Sequence, residues 1–195
     1  MSKTTSSKPV SELVVPSSRV VVGSDAGSGD EALRAARAAD LVIFDIDDTL
    51  SDPAHRLHLL GAEAHRHSCL AGVGRVKIET FMHPDQVIND APIQAAVRFI
   101  ASLQIPQHRW RFLTARWQRL GGVTREWLLR HFGWEHAIGY MRPDNDDGLS
   151  HELKLKILRD KFKKETHLAL FDDDDKMIAG ARKLNIEAFK APGCF

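Results

Sequence analysis

Short apolar runs alternate with amphipathic segments along most of this chain. A continuous apolar run that ends in acid, as at 41–47, is typical of a strand buried on both faces, whereas apolar residues spaced by three and four predict a helix. Strands are predicted over 41–47, 109–114, 167–171 and 186–191, and helices over 91–103, 121–133, 151–164 and 176–185. Strands that alternate in this way with helices predict an α/β fold with a doubly wound parallel sheet.

Two regions depart from this alternation. Residues 1–18 are polar and lack the apolar stretch of a signal peptide, which predicts a flexible tail. Residues 19–40 join a β-rich stretch to an alanine-rich helix and predict an extension that either lies at the sheet edge or mediates self-association. Within the main domain, 41–195, a stretch from about 51 to 88 is rich in His and Arg and interrupts the alternation of strands and helices.

The overall charge changes this picture little. The 195-residue chain has 27 basic and 26 acidic residues, and a net charge of +1 neither indicates a nucleic-acid-binding protein nor excludes a local basic surface. No apolar run approaches the roughly 18 to 20 residues that span a bilayer. Cys69 and Cys194 do not have the spacing of a metal or redox motif. We therefore expect a soluble cytoplasmic protein with no membrane partner.

Acidic residues follow two of the predicted strands. The run DIDD occupies 45–48, and DDDD occupies 172–175. Adjacent carboxylates repel one another and are costly to bury unless a cation compensates. The second run is a protease-cleavage tag, a solvated loop or half of a metal site, and its place between two amphipathic segments argues against a tag. Because ligands bind beyond the carboxyl ends of parallel strands, the sheet would bring both runs to one edge.

The strand ends also carry groups that suit phosphoryl transfer. Asp45 and Asp47 supply two carboxylates, Thr114 follows the second strand, and Lys154 lies near the start of a helix. A carboxylate attacks a phosphate dianion only when negative charge is offset, which Mg²⁺ and a lysine achieve. Lys156 remains an alternative to Lys154, because predicted element boundaries are uncertain by a few residues.

These motifs together resemble a known family. The D-x-D-x-T motif at 45–49, followed in order by a threonine, a lysine and paired aspartates, resembles the haloacid dehalogenase-type phosphohydrolase superfamily from Leu41 onward. More narrowly, DQVINDAPIQAAV (85–97) and HELKLKIL (151–158) are similar to the 3′-phosphatase domain of bacteriophage polynucleotide kinases. The resemblance implies the haloacid dehalogenase-like fold and a phosphatase activity.

The resemblance also implies catalytic roles. Asp45 would attack phosphorus and become an aspartyl-phosphate, while Asp47 would protonate the leaving hydroxyl and then activate water. The phosphoryl oxygens would be held by Thr114, Ala115, Arg116 and Lys154. The sequence departs from the pattern at Asp48, where such proteins often have glycine, and at Ala115, where the phage domain has glycine.

A magnesium site is implied by the same resemblance. Mg²⁺ would be bound by Asp45, by the backbone carbonyl of Asp47 and by Asp173, with Asp172 beside it. The other two aspartates of the acidic run, 174–175, would cap the helix that follows.

Other side chains have two interpretations each. Arg56 in the insert and Arg142 resemble substrate contacts of the related phosphatases, although either fits a plain surface arginine. The histidines of 55–69 suggest a zinc site, but a histidine-rich helical insert is the commoner arrangement. We interpret the four tryptophans as core or helix-packing residues. For Trp117 the alternative is that it stacks on a base.

We therefore expect a Mg²⁺-dependent phosphomonoester hydrolase that acts on the 3′-phosphate of DNA, RNA or a nucleotide. The resemblance implies that residues from about 51 to 88 form a small helical cap insert, and a small cap would leave the site open to a substrate as large as a nucleic-acid end. The alternatives are a nucleotidase or small-molecule phosphatase that uses the same residues, and a module that binds nucleic-acid ends without turnover.

Overall fold

A computed structural model describes residues 26–61, 73–162 and 166–191. The predicted tail, the β-rich stretch of the extension and both cysteines lie outside these residues. The strands are β1 Leu41–Phe44, β2 Ser51–Asp52, β3 Ala91–Pro92, β4 Trp110–Trp117, β5 Gly139–Arg142, β6 Leu168–Asp172 and β7 Glu187–Lys190. The α-helices are α1 Ala26–Ala38, α2 Arg75–Phe81, α3 Pro84–Val87, α4 Gln94–Leu103, α5 Gly121–Phe132, α6 Ser150–Lys161 and α7 Asp175–Lys183.

Five parallel strands form the main sheet, in the order β5-β4-β1-β6-β7. The chain builds outward from β1 to β4 and β5 on one side, then crosses to β6 and β7 on the other. The strand order therefore reverses at β1, and a reversal of this kind opens a crevice at the carboxyl ends of the neighbouring strands. The predicted doubly wound α/β class is confirmed.

The apolar side chains of the strands alternate between two cores. Phe44 and Phe171 pack on one face, with their rings stacked at 5.4 Å between centroids, together with apolar residues of α1, α4 and α5. Ile43 and Leu170 point to the opposite face, where α6 and α7 cover them. Because successive residues of a strand face opposite sides, a continuous apolar run is what a strand covered on both faces requires.

The strand β5 is the main element that the pattern did not predict. Its sequence, GYMR, has no apolar run, and it joins the sheet because β4 offers its outer edge. The strand β4 also continues beyond its predicted end at 114 to Trp117, with an irregularity in its pairing to β5 after Thr114. The helix α4 begins three residues later than predicted because Ala91–Pro92 pairs with β2 instead.

The insert was predicted to be helical, and its described residues are helical only in part. Its described residues form a 3₁₀ helix over Ala54–Leu60 and the short helices α2 and α3, and the antiparallel β2–β3 pair closes its base. Residues 62–72, which include much of the histidine-rich stretch considered for zinc, lie outside the described part of the chain. None of the described helices is long and apolar enough to cross a membrane.

Candidate active site

Asp45 follows the central strand directly and lies at the reversal of the strand order. Its backbone N–H donates to the carbonyl of Phe171 at 2.9 Å, so the pairing between β1 and β6 extends to this residue. The side chain is only 6% exposed, and its Oδ1 lies 2.8 Å from Nζ of Lys154 on α6. Lys154 is itself buried, whereas Lys156 is exposed, so it is Lys154 that contacts the carboxylate.

The acidic run after β6 divides into two pairs. Asp172 is fully buried and accepts from Lys154 Nζ at 2.9 Å, and one carboxylate oxygen from each of Asp45, Asp172 and Asp173 lies within 4.8 Å of the others. Asp174 instead caps α7, since its Oδ1 accepts from the N–H of Lys176 at 2.8 Å. The first two aspartates of the run therefore belong to the buried cluster, and the last two form the N-terminal end of α7.

Lys190 at the end of β7 supports this run. Its Nζ donates to the backbone carbonyl of Asp173 at 2.8 Å and lies 2.8 Å from Oδ1 of Asp175. These contacts fix the chain between β6 and α7, and so they fix where Asp173 stands.

The charges of the buried cluster suit a divalent cation. Three carboxylates lie close together and the ammonium group of Lys154 contacts two of them, so ionising all three would leave two negative charges in excess in a place with little access to water. Burial raises the pKa of Asp45, and although Lys154 opposes the shift, Asp172 and Asp173 add to it. Burial and Asp172 likewise raise the pKa of Asp173. Oxygen donors are the ligands that Mg²⁺ prefers, so the residues present fit this ion.

Asp47 stands in a different electrostatic environment. Its Oδ2 accepts from Nε of Arg116 at 2.9 Å, and its Oδ1 accepts from Nη2 of Arg116 and from Nη2 of Arg56, both at 2.8 Å. Burial alone would raise the pKa of Asp47, but the two guanidinium groups outweigh it and lower the pKa below its ordinary value. Asp47 is therefore ionised in this arrangement.

Asp90 is the functional candidate that the sequence analysis missed. It is buried beside β3, and its carboxylate accepts from Nε of Arg56 at 2.7 Å and from Nη2 of Arg116 at 2.8 Å. Asp47, Arg116, Asp90 and Arg56 thus form a closed set of two carboxylates and two guanidinium groups, which we call the ion-pair ring. The indole Nε1 of Trp127 donates to the backbone carbonyl of Asp90 at 2.8 Å and anchors the ring to α5. No local motif marks Asp90, because its partners lie 34 and 26 residues away.

The last residues of β4 include the other predicted phosphate-binding residues. Thr114 is buried, and its Oγ1 accepts from the N–H of Arg116 at 3.2 Å. The carbonyl of Ala115 accepts from Nε of Arg142 at 3.1 Å. Nη1 of Arg142 also contacts the Oδ1 of Asp146 at 2.9 Å, so Arg142 holds the loop after β5 against this segment. Its role as a direct substrate contact stays a prediction.

Arg116 has one unsatisfied donor. The side chain is fully buried, and its Nη1 has no hydrogen-bond partner among the described residues. Trp117 is buried as well, with the guanidinium of Arg119 lying 4.2 Å from its ring centroid. All four tryptophans are buried, which confirms their interpretation as core residues and gives no support to an exposed stacking role for Trp117 itself.

Asp48 adopts the backbone conformation that glycine usually supplies. Its φ is +59°, and its N–H donates to the carbonyl of Ser51 at 2.8 Å to close the turn between β1 and β2. An aspartate tolerates this left-handed conformation better than most residues, which explains how the chain departs from glycine here.

Neither a known family profile nor a curated protein sequence matches this chain. Solved structures do. One of the Pnkp1/Rnl/Hen1 RNA repair complex matches with a TM-score of 0.53 and 17% identity over 78% of this chain, and another of that complex matches with a TM-score of 0.52 and 18% identity. The match spans 42% and 46% of the respective chains, which is less than half of their length.

Two shorter proteins match over most of their length. A haloacid dehalogenase-like hydrolase from Streptococcus pneumoniae has a TM-score of 0.52 and 10% identity, and a putative phosphatase from Clostridium difficile has a TM-score of 0.51 and 16% identity. Each alignment covers 77% of this chain and 83% of the other. At identities this low, the matches are informative about the fold alone. The sheet order, the reversal at β1 and these matches together establish that the chain has the haloacid dehalogenase-like α/β fold.

Proposed function

We propose that this protein is a phosphomonoester hydrolase in which Asp45 is the nucleophile, and that its substrate is the 3′-phosphate of a polynucleotide end. The observation that carries the chemistry is the pairing of a buried carboxylate, Asp45, with Lys154 at 2.8 Å inside a cluster of three carboxylates. A buried nucleophile beside a fixed cation and a site for a second one is what attack on a phosphate dianion needs.

The reaction has two steps in this proposal. A carboxylate oxygen of Asp45 forms a bond to phosphorus while the bond from phosphorus to the substrate oxygen breaks, and that oxygen leaves with the electron pair and takes a proton from Asp47. Water then gives a proton to Asp47 and attacks phosphorus, which breaks the bond to Asp45 and releases phosphate. Lys154 is protonated when the reaction begins, because Asp172 and Asp45 outweigh the effect of burial and raise its pKa.

The ion-pair ring controls the protonation of Asp47. Asp47 is ionised while Arg56 and Arg116 pair with it, which suits the second step, in which it accepts a proton from water. In the first step the substrate phosphate would attract the guanidinium charge of Arg116, whose Nη1 has no partner among the described residues, and so weaken its hold on Asp47. Asp47 would then carry a proton more readily.

Mg²⁺ would be held by Asp45, Asp173 and the backbone carbonyl of Asp47, with Asp172 beside it, and when bound it would offset the charge of the phosphoryl group. The cluster of Asp45, Asp172 and Asp173 supports this assignment, because its carboxylate oxygens lie close together and its excess charge is negative.

The choice of substrate rests on two likenesses. The sequence resembles the 3′-phosphatase domain of phage polynucleotide kinases, and the fold resembles part of a chain in an RNA repair complex. The two guanidinium groups of the ion-pair ring offset the charges of Asp47 and Asp90, and Nη1 of Arg116 is a donor without a partner among the described residues that a phosphate oxygen would accept from.

The test measures phosphate release with Mg²⁺ from a 3′-phosphorylated oligonucleotide, its 5′-phosphorylated counterpart and free mononucleotides, with EDTA as a control. We expect release from the 3′ end, none with Asp45→Asn, and near-normal release with Asp160→Asn, an exposed aspartate on α6 outside the acidic cluster. A preference for mononucleotides would favour a nucleotidase instead. No release from any substrate, with binding of nucleic-acid ends retained, would favour the non-catalytic module.

A further inference from the structure

A cleft lies between the insert and the turn that follows β4. It has a volume of about 350 Å³ and is lined by Glu79, Met82, His83, Pro84, Arg119 and Leu120. A second hollow of about 420 Å³ adjoins it and shares two of these residues, Glu79 and His83. Volumes of this size are typical of sites that hold a small molecule or one unit of a larger one.

Each wall of this cleft is connected to an arginine of the ion-pair ring. On the insert side, Nη1 of Arg56 donates to the carbonyl of Phe81 at 3.0 Å and lies 3.5 Å from Sδ of Met82. On the other side, Arg119 and Leu120 follow Arg116 by only three and four residues. Because Arg56 contacts one wall and Arg116 precedes the other by three residues, we assign the cleft to the group of the substrate that adjoins the phosphate.

Arg119 provides a flat cationic surface. Its guanidinium lies 4.2 Å from the ring centroid of the buried Trp117, while the side chain remains 41% exposed. The backbone N–H of Arg119 donates to Oδ1 of Asp144 at 2.9 Å, which anchors the turn that carries it. A guanidinium plane supported on an indole offers a surface on which another planar ring system stacks.

The remaining lining complements such a ring. Met82, Pro84 and Leu120 are apolar, and the carboxylate of Glu79 is a hydrogen-bond acceptor at the rim. Nε of Arg75 lies 3.1 Å from Oε1 of Glu79, and Nη2 of Arg119 lies 3.8 Å from the same atom, so this carboxylate is held in place between two cations. Amino and imino N–H groups of nucleobases are donors that pair with a carboxylate.

We infer that this cleft binds the nucleobase of the terminal nucleoside of the substrate, with Arg119 as the stacking surface and Glu79 as the acceptor. The inference rests on the proposed function, and it narrows the substrate class to nucleoside 3′-phosphates, whether free or at the end of a polynucleotide. It also assigns a binding role to a residue outside the catalytic cluster.

The experiment compares two matched substrates, a 3′-phosphorylated dinucleotide and the same molecule with a tetrahydrofuran residue in place of the terminal nucleoside. Arg119→Ala is expected to raise KM for the first substrate about tenfold, since stacking on a single side chain contributes on this scale. It should change KM for the abasic substrate far less. Arg119→Lys keeps the charge but not the plane, so we expect it to behave like Arg119→Ala. Arg130→Ala is the control, because Arg130 pairs with Glu126 on α5 outside the cleft lining and is similarly exposed.

Failure of this inference is distinct from failure of the proposed function. If the unaltered protein hydrolyses both substrates with equal KM, or if Arg119→Ala affects both equally, the phosphatase proposal stands and the cleft is not a base site. If neither substrate nor p-nitrophenyl phosphate is hydrolysed, the proposed function fails. In that case the base-binding role of the cleft is tested by equilibrium binding of a nucleoside 3′-phosphate. Equal affinity of the unaltered and Arg119→Ala proteins would overturn the inference.

A free nucleoside 3′-phosphate serves as a third substrate. A KM close to that of the dinucleotide would mean that the cleft recognises the terminal nucleoside alone, as the inference requires. A KM that depends only on the length of the oligonucleotide, and not on whether the terminal base is present, would overturn the inference.

Discussion

At the scale of single residues, the site depends on how each charge is partnered. Asp45 and Asp47 are two residues apart, yet one is buried against a lysine and other carboxylates and the other is paired with two arginines. Their pKa values therefore shift in opposite directions, upward for Asp45 and downward for Asp47. A nucleophile must be ionised, so Asp45 would need the charge of a bound cation to lower its pKa again.

Asp90 offers a direct test of the ion-pair ring. Replacement Asp90→Ala leaves two buried guanidinium groups short of a partner, and breaking a buried pair in this way costs about 3–5 kcal/mol. We expect a corresponding fall in the free energy of unfolding, measured with urea, and a loss of turnover because Arg56 and Arg116 no longer hold their positions. Asp85→Ala, at an exposed position on α3, should change the stability by less than about 0.5 kcal/mol. A loss below 1 kcal/mol for Asp90→Ala would mean that the ring does not stabilise the fold.

At the scale of elements, close packing between β4 and β5 sets the edge of the sheet that carries the phosphate-binding segment. Gly139 faces Phe112 in the strand register, and a Cβ atom built on this glycine would lie 2.3 Å from Cγ of the phenylalanine. The ring of Phe112 in turn packs edge-on against Trp134 at 6.2 Å, so it has little room to move.

Gly139→Ala should therefore destabilise the protein. Overpacking of this kind costs about 1–3 kcal/mol, and we expect a lower urea midpoint with an unchanged m-value. Gly122→Ala in α5 is the matched control, because nothing lies within 4 Å of its added Cβ. A helical glycine replaced by alanine gains up to about 1 kcal/mol, so this variant should be as stable as the unaltered protein or more so. Equal effects of the two changes would contradict the close approach of β5 to Phe112.

At the scale of the whole molecule, the sheet brings together carboxylates that the chain separates by more than a hundred residues. Asp45 follows β1 directly, Asp172 is the last residue of β6, and both contact Lys154 of α6. Bringing these like charges together opposes folding, because burial raises the pKa of Asp45 above its ordinary value of 3.8. The folded protein therefore resists ionising Asp45, and this cost grows as the pH rises from 3.8 toward the raised pKa.

Asp45→Asn should accordingly stabilise the fold in EDTA at neutral pH while abolishing turnover. We expect a higher Tm than that of the unaltered protein, and this difference should disappear below about pH 4, where the carboxyl group is protonated in both folded and unfolded chains. Adding Mg²⁺ should raise the Tm of the unaltered protein more than that of the variant, since the ion would bind the carboxylate that the variant lacks. A variant less stable than the unaltered protein in EDTA would show that the Lys154 contact outweighs the burial of charge.

Much of the fold was predictable because it depends on local pattern. The central strands are continuous apolar runs, and the helices between them have apolar spacing, so the α/β class followed from periodicity alone. The strand β5 was not predictable, because a four-residue edge strand with a glycine and an arginine has no distinguishing pattern and forms only when β4 is already in place. The same is true of the β2–β3 pair, which is two residues long on each side.

The candidate site divides along the same line. The sequence by itself determined which residue types end the strands, and hence the expectation of Asp45, Asp47, Asp172 and Asp173 at one edge of a sheet. Only the tertiary structure decided their partners: Lys154 rather than Lys156 against Asp45, and Asp90 between two arginines. The physical reason is that periodicity along the chain specifies which face is buried, whereas the pairing of buried charges depends on distances between segments far apart in sequence. Those distances exist only once the sheet and the insert have packed.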